Sequence, residues 1–225
     1  MQKVFSIALD GPAGAGKSSI AKILAKRMNA MYLDTGAMYR AVGLYMVRNG
    51  VNINDPAAIA GRVYDADIDV RYENGAQRIY LEGKDVSEAI RTPDASMAAS
   101  KVSAVPKVRE RMVDLQRKIA EGQSVVMDGR DIGTHVLPNA TLKVYLTASV
   151  EVRAHRRQLE LQAKGKDEPY EKVLSEMIER DYADSHRAAS PLRPAADAKR
   201  VDCSDLTLEE VVTLIEKMAR KAMEA

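Results

Sequence analysis

The chain has 225 residues, of which 46% are hydrophobic and 29% charged, and its formal net charge at pH 7 is +2. This length suits one α/β domain with insertions or two small domains, and the near-neutral charge gives no argument for binding nucleic acid or an anionic membrane. The lone cysteine, Cys203, excludes an internal disulfide framework. We expect a cytoplasmic protein without a cleavable leader or a membrane span.

Five short apolar segments are predicted to be buried strands, at 4–10, 30–34, 124–128, 141–146 and 199–204. Because helical patterns separate most of them, we predict a parallel, doubly wound sheet of the α/β class. Residues 68–90 instead alternate like antiparallel strands, with Glu73-Asn74-Gly75 as a hairpin turn. We therefore predict a β-rich insert at about 60–97, with helix resuming near residue 98.

The first predicted strand runs into a glycine-rich segment, GPAGAGKSS. Its spacing is typical of a phosphate-binding loop, in which glycines let successive backbone N–H groups point at an anion. Lys17 is expected to reach the β- and γ-phosphates of a nucleotide, and Ser18 the accompanying Mg²⁺. A turn that binds nothing is the alternative, but a strand precedes the motif and a helical pattern follows it. The predicted triphosphate-binding residues are Gly11, Pro12, Ala13, Gly14, Ala15, Gly16, Lys17, Ser18 and Ser19.

Ligands of an open parallel sheet lie beyond the carboxyl ends of its strands. The second and third strands end in LDTGAMYR and MDGRDIGT, which carry the candidates Thr35, Tyr39, Arg40, Asp128, Arg130 and Asp131. We predict that Thr35 is the N-cap of the helix after the second strand. Asp128 either reaches Mg²⁺ through water or caps its own turn, and the sequence slightly favours the metal.

Two later helical patterns carry arginines on one face. These residues are Arg153, Arg156 and Arg157 in the first helix and Arg180, Asp184 and Arg187 in the second. For a single arginine an ordinary solvated ion pair is the usual interpretation, but guanidinium is also the group best suited to bidentate phosphate contacts. Two such faces around KGKDEP (164–169) indicate a hinged, basic lid at about 151–189.

The motifs DGPAGAGKSS, LDTGAMYR, DGRDIGT, AHRR and ERDYADSHR, in this order, resemble those of the cytidylate kinases, a family of nucleoside monophosphate kinases. The resemblance runs from Val4 to the C-terminal helix and includes the insert. It implies a single P-loop kinase domain with its core at 1–59, 98–150 and 190–225. It also implies Mg²⁺-dependent transfer of the γ-phosphoryl group of ATP to CMP or dCMP, giving CDP or dCDP, in pyrimidine nucleotide metabolism.

The resemblance also assigns roles to individual residues. Base recognition falls to Ser100, Arg109 and Asp131; the acceptor phosphate to Arg40, Arg130 and Arg187; and the sugar side to Arg180 and Asp184. The residues expected to be catalytic are Lys17, Arg130, Arg157 and Arg187. Arg153, Arg156 and Arg157 would face the ATP phosphates, and which of them touches the transferred group stays open. The family often has GKGT where this chain has GKSS, so either Ser18 or Ser19 is the closer to Mg²⁺.

The chemistry of the reaction agrees with these residues. A monophosphate has a second pKa of about 6 and is already a deprotonated nucleophile near neutral pH, so no base is required. Rival functions are a kinase for AMP, UMP or a small hydroxy acid, a GTP switch, and a regulatory module without turnover. The chain lacks the Asn-Lys-x-Asp signature of a GTP switch. We expect a monomer that binds ATP, Mg²⁺ and CMP or dCMP, and neither nucleic acid nor membrane.

Overall fold

The computed structural model describes residues 4–73, 75–163 and 165–224. Its contacts divide the chain into two compact units, one formed by Met1–Tyr32 with Gly122–Ala225 and the other by Leu33–Glu121. Within the described residues, no helix combines the length and the apolar character needed to cross a membrane.

The elements alternate between strand and helix along much of the chain. In order they are β1 (Ser6–Asp10), α1 (Lys17–Arg27), β2 (Met31–Asp34), α2 (Thr35–Arg48), α3 (Pro56–Arg62), β3 (Ile68–Glu73), β4 (Ala76–Leu81), β5 (Lys84–Asp85), α4 (Pro93–Ser103), α5 (Pro106–Ala120), β6 (Val125–Gly129), β7 (Leu142–Thr147), α6 (Val150–Gln162), α7 (Tyr170–His186), β8 (Lys199–Asp202) and α8 (Leu208–Glu224).

The five strands predicted from the sequence form one sheet, in the order β2-β6-β1-β7-β8. Strand β1 pairs in parallel with β6 and with β7, and β7 pairs in parallel with β8. The apolar side chains of β1, such as Ile7 and Leu9, are fully buried. The predicted α/β class with a parallel, doubly wound sheet is therefore confirmed, and β1 and β6 end side by side, Asp10 opposite Gly129.

The second unit contains an antiparallel sheet of β3, β4 and β5, which lies inside the predicted insert of 60–97. β3 and β4 pair from Ile68 opposite Leu81 to Glu73 opposite Ala76, as the alternating pattern predicts. Asn74, at the centre of the predicted hairpin turn, lies outside the described residues. The helix predicted to resume near residue 98 begins at Pro93.

Helices α2 and α4 pack closely in the second unit because of one glycine. A Cβ added to Gly43 of α2 would lie 2.8 Å from the Cβ of Ala98 in α4, closer than side-chain carbons approach in real proteins. Only glycine therefore fits at this crossing, and α2, which carries Thr35, Tyr39 and Arg40, is held against α4, which carries Ser100.

Candidate active site

The loop between β1 and α1 requires its glycines. Gly11 has φ +149°, and a Cβ there would overlap the carbonyl oxygen of Leu146. Gly14 has φ +74°, and a Cβ there would lie 2.6 Å from the Cε of Met177. Gly16, with φ +82°, is the N-cap residue of α1, and no described side chain caps this helix end. The loop therefore presents main-chain groups, which is how phosphate-binding loops hold anions.

Lys17, the first residue of α1, is only 5% exposed. Its Nζ donates a hydrogen bond to the carbonyl oxygen of Pro12 at 2.7 Å. Burial, followed by the positive charge of Arg130, lowers the pKa of Lys17 to about 7, although Asp128 and Asp10 act in the opposite direction. Adjacent nucleotide phosphates would favour the charged ammonium, because an opposite charge stabilises it.

The hydroxyl of Ser18 donates a hydrogen bond to Oδ2 of Asp128 at 2.7 Å. The hydroxyl of Tyr32 donates to Oδ1 of the same carboxylate at 2.8 Å, which fixes its orientation. The described residues hold no group of three or more His, Cys, Asp or Glu poised for a metal. A hydroxyl beside one carboxylate nevertheless fits Mg²⁺, which in nucleotide sites is bound through one or two protein oxygens, substrate phosphates and waters.

Asp10 ties the end of β1 to the segment after β6. It is 4% exposed, and its two carboxylate oxygens accept hydrogen bonds from the backbone N–H groups of Ile132 at 2.8 Å and Gly133 at 2.7 Å. Burial raises the pKa of Asp10 to about 6, although these two hydrogen bonds lower it. The phosphate loop and the segment that begins at Arg130 are therefore joined by a buried carboxylate.

A cluster of charged residues lies in the same unit. Nε of Arg130 donates to Oδ2 of Asp184 at 2.8 Å, and the guanidinium of Arg187 lies 3.9 Å from Oδ1 of Asp184 and 3.7 Å from Oδ1 of Asp131. Burial raises the pKa of Asp184, but Arg130, Arg180 and Arg187 together outweigh it, so the pKa is lowered. The structure thus brings together five of the predicted acceptor-site residues.

Arg153 of α6 is buried and its guanidinium is fully engaged. Its nitrogens donate to the carbonyl oxygens of Ala148 at 2.9 Å and of Ala13 in the phosphate loop at 3.0 Å. They also form an ion pair with Asp181 of α7 at 2.6 Å. Arg153 therefore connects the phosphate loop with both helices of the predicted lid.

The two other arginines of α6 have different partners. Arg156 donates to the carbonyl oxygen of Cys203 at 2.7 Å, just after β8. Arg157 forms a half-exposed ion pair with Glu160 on its own helix at 3.1 Å. The i, i+3, i+4 spacing thus places the three guanidinium groups on three separate sets of partners. Lys164, in the predicted lid loop, lies outside the described residues.

In the second unit, helix α2 begins differently from the prediction. Asp34 is the N-cap residue, and its Oδ1 accepts the backbone N–H of Ala37 at 2.9 Å. The prediction that Thr35 is the N-cap is wrong, because Thr35 is already the first helical residue, with 3% of its surface exposed. The other oxygen of Asp34 accepts from Arg40 at 2.9 Å. Asp34 was absent from the predicted site, although an aspartate directly before a helix is a cap signal.

The predicted base-recognition residues of the second unit lie in one neighbourhood. The guanidinium of Arg109 lies 5.4 Å from the ring centroid of Tyr39 and donates to the carbonyl oxygen of Ser103 at 3.2 Å. The hydroxyl of Ser103 in turn donates to the carbonyl oxygen of Ser100 at 2.9 Å. Tyr39, Ser100 and Arg109 are thus linked within this unit.

Comparison with known proteins extends these observations. The family model described as cytidylate kinase matches residues 7–221. The chain is 48% identical to a cytidylate kinase from Caldicellulosiruptor bescii, covering 98% of each chain, and 50% identical to one from Carboxydothermus hydrogenoformans, covering 96% of this chain and 97% of the other. A solved structure of an uncharacterized protein from Eubacterium ventriosum superposes with a TM-score of 0.53 at 12% identity, covering 96% and 98% of the two chains. This last likeness concerns the fold alone.

Proposed function

The chain belongs to the cytidylate kinase family, so its activity is the phosphorylation of CMP with ATP as phosphoryl donor, and we propose that the transfer requires Mg²⁺ and accepts dCMP as well as CMP. The products are CDP or dCDP together with ADP. The observation that carries this function is the presence in one unit of a glycine-dependent phosphate loop with buried Lys17 and a cluster in which Arg130 and Arg187 pair with buried Asp184.

The donor triphosphate is bound by the phosphate loop. Its backbone N–H groups hold the phosphates, and Lys17 moves its ammonium from the carbonyl of Pro12 to the β- and γ-phosphates. Arg157 is the lid residue that contacts the transferred group, because a half-exposed surface ion pair with Glu160 costs little to break. Arg153 and Arg156 join the phosphates only by exchanging their present carbonyl partners.

Mg²⁺ would be held by the hydroxyl of Ser18 together with Asp128, directly or through water. The supporting geometry is the 2.7 Å hydrogen bond between these two side chains. When bound, the ion supplies positive charge to the β- and γ-phosphate oxygens. Both serines are exposed, and among the described residues Ser18 is the one that contacts Asp128, so Ser19 has the weaker claim.

The acceptor is bound mainly by side chains. We assign its phosphate to Arg40, Arg130 and Arg187, its sugar to Arg180 and Asp184, its cytosine to Ser100, Arg109 and Asp131, and its surroundings to Thr35 and Tyr39. Asp184 and Asp131 lie against the positive charges of Arg130 and Arg187, so these guanidinium groups can be largely withdrawn from water before the substrate arrives. The acceptor phosphate is its own nucleophile, and catalysis consists of bringing two phosphates in line among cations.

We further assign the core to 1–59, 98–150 and 190–225, the acceptor-binding insert to about 60–97 and the lid to about 151–189. A monomer in the cytoplasm that binds no nucleic acid accords with the +2 net charge and the one buried cysteine, Cys203. Light scattering at working concentration tests the oligomeric state.

A coupled ADP-release assay with Mg²⁺-ATP tests the function, run in parallel with CMP, dCMP, UMP, AMP, GMP and no acceptor. We expect turnover with CMP and dCMP, and about 10- to 100-fold weaker discrimination among bases in Asp131→Ala, the range expected for one hydrogen bond to a charged group. Strong turnover with another monophosphate in the wild-type enzyme would contradict the cytosine assignment. Unchanged base preference in Asp131→Ala would remove that residue from base recognition.

A further inference from the structure

The side chain of Gln77 in β4 pairs with the backbone of Asp34 like a peptide group. Its Oε1 accepts the N–H of Asp34 at 2.7 Å, and its Nε2 donates to the carbonyl oxygen of Asp34 at 3.2 Å. One amide thus satisfies both main-chain groups of a residue at the end of β2, 43 positions earlier in the chain. These two hydrogen bonds fix the position of the Asp34 backbone relative to the antiparallel sheet.

Asp34 passes this constraint to Arg40. Its carboxylate caps α2 through Ala37 and holds a terminal nitrogen of Arg40 at 2.9 Å. Among the described residues, Nε of Arg40 is buried without a hydrogen-bond partner. A buried guanidinium nitrogen without a partner costs free energy, and an acceptor oxygen of a phosphate is the group that would satisfy it. The direction of this nitrogen depends on where Asp34 holds the guanidinium.

We propose that Gln77 is a positioning residue of the acceptor site, which acts through Asp34 to hold Arg40 for the phosphate of the nucleoside monophosphate. This inference rests on the proposed function, in which Arg40 binds that phosphate. It gives the insert a role in affinity for the acceptor through its strand β4, without any contact between Gln77 and the substrate. The ATP site has no part in this chain of contacts.

Gln77→Leu removes both hydrogen bonds while keeping a side chain of similar size. We expect the KM for CMP to rise about 3- to 10-fold, which corresponds to the loss of a net hydrogen bond or two. We expect kcat to stay within about 2-fold and the KM for ATP to stay unchanged, because the interaction serves acceptor binding alone. Gln77→Glu keeps the acceptor oxygen, loses the donor and adds a charge near Asp34, so its KM for CMP should rise at least as much.

Arg78→Leu is the matched control, since Arg78 is the next residue of β4 and points to the opposite face. Its partner Asp85 is 3.7 Å away, and both side chains are 39% exposed. The KM for CMP, the KM for ATP and kcat should all remain at wild-type values in this variant. A thermal midpoint close to that of Gln77→Leu would show that a general loss of stability does not explain the KM change.

Combination with Arg40→Gln separates positioning from a merely structural role. If Gln77 acts through Arg40, Gln77→Leu should change the KM for CMP by less than about 2-fold in the Arg40→Gln background, because the effects of substitutions at coupled residues are not additive. Multiplicative effects would overturn the inference, as would an unchanged KM for CMP in both Gln77 variants. An unchanged KM for CMP in Arg40→Gln itself would instead overturn the proposed role of Arg40, and the inference with it.

Discussion

Two strand-to-helix turns of this protein begin their helices in different ways. The turn from β1 to α1 uses glycines with positive φ at positions 11, 14 and 16, and no described side chain caps its helix. The turn from β2 to α2 contains no residue with positive φ, and the carboxylate of Asp34 caps its helix. The first turn offers its backbone to an anion, whereas the second uses its helix N-terminus internally.

The difference matches the two phosphates that we assign to these turns. A triphosphate with several oxygens suits a loop of N–H groups that curls around it. At the second turn the carboxylate of Asp34 already caps the helix, so we assign the acceptor phosphate to side chains such as Arg40, which Asp34 holds by a hydrogen bond. We infer that donor binding depends mainly on backbone conformation and acceptor binding mainly on side-chain identity. Single substitutions can separate these two dependences.

The largest effect is expected from Lys17→Met in the donor turn. Lys17 is the cation that we assign to the transferred phosphoryl group, so its removal should lower kcat by roughly 10³-fold. The fold should persist, because Lys17 is buried with a lowered pKa and its loss relieves that burial. Steady-state kinetics and thermal unfolding measure both, with Lys26→Met on the exposed face of α1 as control. Near-normal turnover of Lys17→Met would contradict the assignment of the loop.

The adjacent serines provide a second test in the same turn. Ser18→Ala removes the hydroxyl that contacts Asp128, so the Mg²⁺ concentration for half-maximal rate should rise about 10-fold, the order expected for one lost interaction with an ion. Ser19→Ala should leave it unchanged. A magnesium titration of both variants at saturating ATP measures this, and the reverse ranking would assign the metal contact to Ser19.

Substitutions of Asp34 separate its two roles in the acceptor turn, which are to cap α2 and to hold Arg40. Asparagine is as good an N-cap as aspartate but carries no charge for Arg40, so Asp34→Asn should retain stability and raise the KM for CMP about 5-fold. Asp34→Ala should show the same KM change and in addition lose about 1 kcal/mol in the free energy of unfolding. Urea unfolding and kinetics distinguish the two; a wild-type KM in Asp34→Asn would mean that Arg40 does not depend on this ion pair.

The remaining prediction concerns the pH dependence of stability that Asp10, which borders the donor turn, contributes. Burial raises its pKa in the folded state to about 6, above the ordinary value of 3.8, so between these values the folded state binds more protons than the unfolded state. Its contribution to the free energy of unfolding must therefore rise as the pH falls from about 6 towards 4, with a slope of at most about 1.4 kcal/mol per pH unit. Urea unfolding of the wild type and of Asp10→Asn at pH 4.5 and 6 measures the difference; equal pH slopes would contradict the raised pKa.

The sequence predicted the sheet and the donor turn because their signals are local. Five apolar strands and a glycine spacing specify β1, β2, β6, β7, β8 and the phosphate loop without reference to distant residues. The cap of α2 was assigned one residue too late, since aspartate and threonine are both good N-caps and only the end of β2 decides between them.

The hydrogen-bond partners of side chains in the lid and the insert have no local signal in the sequence. Helical spacing places Arg153, Arg156 and Arg157 together, but Arg153 and Arg156 donate to the backbone carbonyls of Ala13 and Cys203, which only the tertiary fold brings close. The pairing of Gln77 with Asp34 depends likewise on the register of β4. Contacts from a side chain to a distant backbone group leave no periodic pattern in the sequence.

The most direct test of the division between the two turns is calorimetric titration of CMP and of a non-hydrolysable ATP analogue with Mg²⁺. The titrations use the wild type, Lys17→Met and Arg40→Gln. We expect Lys17→Met to weaken binding of the analogue and to keep the affinity for CMP, whereas Arg40→Gln should weaken binding of CMP and keep the affinity for the analogue. Equal weakening of both ligands in each variant, or the reverse pattern, would show that the two turns do not divide donor and acceptor binding.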